Sequence, residues 1–315
     1  MAQISGILVE NIANMHGIDV TSIVSVDGIL TSNIPSFPSG SSFDSDAQAF
    51  ITAAAITDPT QQEAINTLVL GLKEDIIWTK MKAIYPIIGG TASQHKYNLK
   101  DPRDLDAAFR LQFNGGITHS TNGMLPNGTN GYANTYFLPS TQIANPDSFH
   151  FSVYSRTTLG PFVPGFDIGA LIITGIDNED FANAETNAFY FIQYYGSTVV
   201  KNGLYSATAS FVDTTSLGLY VGNRNSTGNI TAYKNGVLKN TGSLAPSGLA
   251  YCPMLLMGAS VYYPDLYPNP NDWSPYYPGK RQLAFATIGD GLSNTDNTNL
   301  YTRIQAFQTT LSRQV

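Results

Sequence analysis

The chain has 315 residues, long for one domain and suited to one large domain with a smaller appendage. Charged residues make up 12% of it, about half the usual quarter, and the net charge is −7, which argues against nucleic-acid binding, since that needs a basic patch to neutralise phosphates. A single cysteine, Cys252, excludes an intrachain disulfide, and no apolar run approaches the ~20 residues of a membrane span.

Residues 1–42 contain a repeat with a period of eleven. Ile4-Ser5-Gly6-Ile7 with Ile12 recurs as Met15-His16-Gly17-Ile18 with Ile23, and again as Val26-Asp27-Gly28-Ile29 with Ile34. Each copy is too short to bury its own apolar side chains, so the copies stack on one another or on a partner. One reading is a small cap on the protein's own core; the other is a docking module that uses Ile4, Ile7, Ile12, Ile18, Ile23, Ile29 and Ile34. His16 reads as a solvated loop residue. Residues 32–44, rich in Ser, Pro and Gly, form a linker.

Residues 43–90 change character and predict a helical neck. Ala47, Phe50, Ile51, Ala54 and Ala55 suggest a short first helix. Asp58-Pro59-Thr60-Gln61 is a helix start, with Asp58 as cap and Pro59 in the first turn. Ile65, Leu68, Val69, Leu72, Ile76, Trp78, Met81 and Tyr85 then follow in roughly helical steps until Pro86. The pair is read either as a hairpin packed on the next domain or as the centre of a trimer. No heptad is sustained long enough for a coiled coil.

Residues 91–315 predict an antiparallel β-sandwich. Strands are expected at 107–113, 133–138, 149–155, 168–174, 188–195, 217–222, 230–233, 253–260 and 282–288, separated by turn clusters such as Asn235-Gly236. No strand–helix alternation occurs, which argues against a parallel α/β sheet. After the last strand, Gly289-Asp290-Gly291 breaks the pattern, Ser293 and Asp296 form a capping box, and Leu300, Ile304, Phe307 and Leu311 make one stripe of a final helix.

Candidate chemistry is sparse. A sugar-cleaving enzyme on a sandwich needs two carboxylates on one face of a strand. The densest acidic cluster, Asp177-Asn178-Glu179-Asp180 with Glu185 beyond, lacks that alternation and reads as a turn, with calcium binding or a catalytic role as alternatives. The histidines His16, His95, His119 and His150 show no zinc spacing, and no serine elbow or phosphate loop is present, so no cofactor, metal or catalytic residue is assigned. Cys252 lies in an apolar run and reads as a buried thiol. The stretch suited to recognition is 261–279. There Tyr263, Tyr267, Trp273, Tyr276 and Tyr277 are interleaved with prolines, Asn271 and Asp272. Aromatic faces stack on sugar rings or seal protein surfaces, and prolines lower the entropy lost on binding.

Residues 216–224, 230–236 and 282–307 resemble segments of concanavalin A-like and laminin-G-like jelly-roll domains, which implies a mainly β, jelly-roll sandwich followed by a C-terminal helix. The short Gly-Ile repeats are similar to those that open many phage virion proteins. His95 to Asp104, Phe113 to Ser120 and Pro126 to Thr135 resemble segments of structural proteins of Bacteroidetes-infecting, crAss-like phages. These resemblances imply a non-enzymatic virion structural protein: a fibre, decoration or collar component made in the host cytoplasm without a signal peptide. The implied partners are other virion proteins at the repeats, further copies of the chain with a trimer favoured, and a host surface glycan at the sandwich. The alternatives are a dedicated glycan-binding adhesin and a polysaccharide depolymerase of the same fold.

Overall fold

Phe149, Phe151 and Val153 alternate with His150, Ser152 and Tyr154, and such period-two alternation makes a two-faced strand. In the computed structural model this stretch is the central strand of one sheet of a β-sandwich. Residues 43–157, 165–174, 185–195, 199–204, 207–213, 215–225, 229–243, 249–269, 271–276 and 278–315 are described, with six two-residue strands before them. They fall into two compact units, Met1–Asp44 and Ser45–Val315.

The first unit repeats one motif three times. β1 (Gln3–Ile4) pairs with β2 (Ile7–Leu8), β3 (Asn14–Met15) with β4 (Ile18–Asp19), and β5 (Ser25–Val26) with β6 (Ile29–Leu30), all antiparallel. The inner pairs are Ile4↔Ile7, Met15↔Ile18 and Val26↔Ile29, so the backbone register repeats with the sequence. Ile12, Ile23, Ile34 and His16 lie outside the described residues.

The second unit opens with helices α1 (Ser45–Ala53) and α2 (Pro59–Glu74), then β7 (Met81–Tyr85) and α3 (Ala92–His95). Next come β8 (Gln112–Asn114), β9 (Ile117–Ser120), β10 (Gly123–Pro126), β11 (Tyr132–Asn134), α4 (Pro139–Gln142), β12 (Phe149–Ser155), β13 (Phe166–Thr174), β14 (Glu185–Tyr195), β15 (Val199–Leu204) and β16 (Ala207–Phe211). The chain continues through β17 (Gly218–Arg224), β18 (Asn229–Lys234), β19 (Val237–Ser243), β20 (Leu255–Leu256), β21 (Ala259–Tyr262), β22 (Ser274–Tyr276), β23 (Leu283–Gly289) and α5 (Asn294–Thr310). One sheet has the order β19-β18-β17-β12-β23-β10-β9, with β7 also on β23. The other has the order β16-β15-β14-β13-β20-β11-β8, with β21 on β13 and β22 on β21. All these pairings are antiparallel except β13 with β21. The expected sandwich with a C-terminal helix is therefore present.

The core lies between the sheets. Phe149, Phe151, Val153, Tyr220, Ala286 and Ile288 meet Ile168, Ala170, Ile172 and Leu256, all at most 2% exposed. The other face of the first sheet is covered by α5, whose Leu300, Ile304 and Phe307 are buried, with the Phe307 ring edge-on to Phe285 at 5.7 Å. Ser293 and Asp296 form the expected capping box, and Leu311 is the C-cap, half-buried rather than part of the stripe. α2 is capped by Asp58, which accepts from the Gln61 N–H at 2.8 Å. It is tied to α5 through Arg303, which reaches Asp75 at 2.8 Å and Glu74 at 2.9 Å.

The stretch expected as a helical neck divides in two. α2 stops at Glu74, Ile76 takes a left-handed conformation (φ 60°), and Met81–Tyr85 becomes a strand pairing Ala286↔Tyr85 and Ile288↔Ala83. Met81 and Tyr85 are four residues apart, which fits a helical step and a strand's alternate face equally. Pairing with β23 decides for the strand and buries Ala83 and Tyr85 in the core. Further differences are short. Residues 107–113 hold a 3-10 turn before β8, and 253–260 splits into β20 and β21 around Met257 (φ 59°). β9, β10, β15, β16, β19 and β22 were not expected. The Asn235-Gly236 turn has positive φ at both residues (51° and 73°), as a tight hairpin requires.

Candidate functional site

β21 and β22 form a ribbon rooted on β13, in the register Ala259↔Tyr276 and Val261↔Ser274. Its connection is held in shape by its own backbone and polar side chains. The Tyr263 carbonyl accepts from the Tyr267 N–H at 3.0 Å, and the Tyr262 hydroxyl donates to the Tyr267 carbonyl at 2.6 Å. Asn269 accepts from the Asn271 N–H at 3.1 Å through its side chain and from the Asp272 N–H at 2.9 Å through its carbonyl. A loop ordered before contact loses less entropy on binding.

The expected recognition residues divide by role. Tyr263 and Tyr276 lie over Phe166, Leu171, Ala259 and Val261 on the outer face of the second sheet, with Tyr276 and Phe166 rings 6.0 Å apart. Trp273 packs on the central core. Of the described ones, only Tyr267 (48% exposed), Asn271 and Asp272 face solvent. Tyr277 lies outside the described residues. Burial pushes the Tyr263 hydroxyl up, and the neighbouring Tyr267 adds to the rise. Asp265 and Asp272 are the only charged residues between 261 and 279, so the ribbon is acidic.

Among the described residues, the buried carboxylates are each held by a cation. Asp167 and Arg281, at 2% and 1% exposure, form a two-toothed pair, with Nε to Oδ1 at 2.9 Å. Asp213 binds the Lys234 ammonium at 2.6 Å and accepts from the Tyr220 hydroxyl at 2.6 Å. The Arg281 guanidinium and the Lys234 ammonium each lie over the Tyr220 ring, at 5.0 and 5.5 Å. Asp296 meets Lys80 at 2.5 Å. A general acid or nucleophile on a sugar-cleaving face needs a carboxyl free to exchange a proton or attack, and these are committed to ion pairs. Asp177, Glu179 and Asp180, the acidic turn with its calcium alternative, lie outside the described residues. Among the described residues no three His, Cys, Asp or Glu converge as metal ligands. Cys252 is fully buried, and burial pushes its thiol up to about 11.

Three groupings were not legible in the sequence. His95 and His119, 24 residues apart, face each other with Nδ1 atoms 3.0 Å apart. His150 is fully buried, with Nδ1 2.6 Å from the Asp290 carbonyl and Nε2 3.1 Å from the Thr287 hydroxyl. Burial pushes it down to about 4. Arg313, 1% exposed, is held entirely by neutral oxygens. No local spacing signals any of these contacts.

No protein-family model matches the chain. No curated protein sequence matches it either. Among solved structures, it is similar to domain 4 of AbnA, a GH43 extracellular arabinanase from Geobacillus stearothermophilus solved with arabinotriose. That match has 14% identity, covers 70% of this chain and 98% of that one, and has a TM-score of 0.42. It is also similar to the binding domain of botulinum neurotoxin serotype D, at 11% identity, 71% and 52% coverage and a TM-score of 0.42. A third is the binding domain of Paraclostridial Mosquitocidal Protein 1, at 10% identity, 71% and 52% coverage and a TM-score of 0.41. The chain spans about half the length of the two toxin structures.

Proposed function

We propose that this chain is a non-enzymatic structural protein of a phage particle, docked through its eleven-residue repeats and displaying the sandwich for attachment. The observation that carries the reading is the threefold backbone register of Ile4↔Ile7, Met15↔Ile18 and Val26↔Ile29. Hairpins with two residues per strand are not stable alone in water. Three copies in the same register offer three equivalent apolar closing pairs to a partner, whether another particle protein or further copies of this chain. The resemblance of the repeats and of residues 95–135 to virion proteins supports the particle as that partner. The cation-locked carboxylates of the sandwich support a role without hydrolysis. The test is co-sedimentation of the full chain with particles that lack it. Wild type binds and the variant Ile7→Asp/Ile18→Asp/Ile29→Asp does not; equal binding by both removes the reading.

A second reading, a host-glycan adhesin, is favoured by the exposed Tyr267 beside Asn271 and Asp272 on a preformed ribbon. Tyr267→Ala is the informative variant, because Trp273 also serves the core. Binding to a glycan array that Tyr267→Ala abolishes supports it. An array without signal from wild type overturns it.

A further inference from the structure

Arg313 is the joint at which four parts of the second unit meet. Its Nε donates to Gln308 Oε1 at 2.6 Å on α5. Nη1 donates to the Ile87 and Thr121 carbonyls at 2.8 and 3.1 Å, and Nη2 to the Pro86 and Ala284 carbonyls at 2.8 and 3.0 Å. All five N–H groups of the guanidinium are used. No acceptor among them is a carboxylate, so the cation stays buried on dipoles alone, and burial lowers its pKa to about 9.

His95 and His119 stand beside this joint. Gly90 links His95 to Thr121, whose carbonyl Arg313 holds. The Gly90 N–H donates to His95 Nε2 at 3.1 Å, and a side chain at Gly90 (φ 116°) would meet the Thr121 backbone nitrogen at 3.2 Å. Because His95 Nε2 accepts, its proton sits on Nδ1 and is donated to His119 Nδ1. The couple is thus closed by one proton. A second on His119 Nδ1 would face the His95 N–H, and one on His95 Nε2 would face the Gly90 N–H. The charged and titratable groups that reach this cluster are Arg313, Arg156, whose Nε donates to the Arg313 carbonyl at 2.6 Å, and the Tyr154 phenol. No Asp or Glu among the described residues is ion-paired with either histidine or with Arg313.

We propose that the His95–His119 couple is an acid-sensitive catch: neutral, it holds the 86–90 loop and the Arg313 joint closed, and on protonation it releases them. Burial first, then the His119 and Arg313 charges, push His95 down to about 3, and burial lowers His119. The open form therefore takes up protons below the ordinary value of 6.5 while the closed form does not. The closed state is unaffected above 6.5 and weakens as pH falls below it, by about tenfold per pH unit for each histidine held neutral.

The test is hydrogen–deuterium exchange of the full chain from pH 7.5 to 4.5, corrected for the intrinsic pH dependence of exchange. Peptides covering 86–90, 117–121 and 308–313 are expected to lose protection by at least about tenfold per pH unit below 6.5, and at each pH to exchange ahead of the β12–β17 ladder, which opens only with the whole fold. In His95→Gln/His119→Asn, which keeps polar groups but cannot gain charge there, that local pH dependence disappears. Should the double variant fail to fold, imidazole NMR of wild type decides. A His95 ring that stays neutral in the closed protein down to pH 5 agrees with the catch. Titration of both rings near 6.5 without change in exchange overturns it, as does a variant with undiminished pH dependence.

Discussion

Asp167 and Arg281 show what a single pair does in this fold. Asp167 sits on β13 in one sheet and Arg281 leads into β23 in the other, so their two-toothed contact bolts the sheets together at near-zero exposure. Removing one partner leaves a buried charge without compensation. Arg281→Met is expected to cost about 3–5 kcal/mol in urea unfolding, and Asp167→Leu/Arg281→Met to recover most of it. A double variant no more stable than the single would show that the pair's contribution lies elsewhere. The buried histidines set a pH limit at the same scale. His95 and His150 are pushed down to about 3 and about 4 from 6.5, so the unfolded chain binds more protons below 6.5 and stability falls with pH there. Between 6.5 and about 4 the two together cost roughly 2–3 kcal/mol per pH unit. A pH series of urea midpoints checks the sign; a flat profile down to pH 4.5 would contradict it.

Elements show where the sequence speaks and where it does not. β12 and β23 were legible because a two-faced strand must alternate, and α5 because its cap residues and four-three spacing leave no other periodicity. β7 was hidden because Met81 and Tyr85 satisfy both periods, and only its partner β23 decides. β15 and β19, with Lys-Asn in their middles, carry too little apolar alternation to be told from loop, and hydrogen bonding to neighbours makes them strands. Composition singled out residues 261–279, but it does not say which aromatic rings turn inward, as Trp273 does. The Asn235-Gly236 hairpin leans on α5: a side chain at Gly236 would lie 3.1 Å from Thr298 and Tyr301 atoms. Gly236→Ala, strained at φ 73° and crowded by the helix, is expected to destabilise by about 1 kcal/mol or more. A thermal melt reads this as a lower Tm; an unchanged Tm would mean the turn relaxes freely.

At the scale of the whole molecule, the two units have complementary economies. Ser45–Val315 holds a two-sheet core and covers one outer face with its own helices. The described strands of Met1–Asp44 are two residues each and repeat one register, and under the proposed function it is a partner that completes them. The claim that organises this account is therefore that the repeats dock and the sandwich does not. The most direct measurement is co-sedimentation with particles lacking the chain, run in parallel for wild type, for Ile7→Asp/Ile18→Asp/Ile29→Asp and for Tyr267→Ala. The account predicts that wild type and Tyr267→Ala bind equally while the repeat variant stays in solution. Binding by the repeat variant at the wild-type level would contradict it.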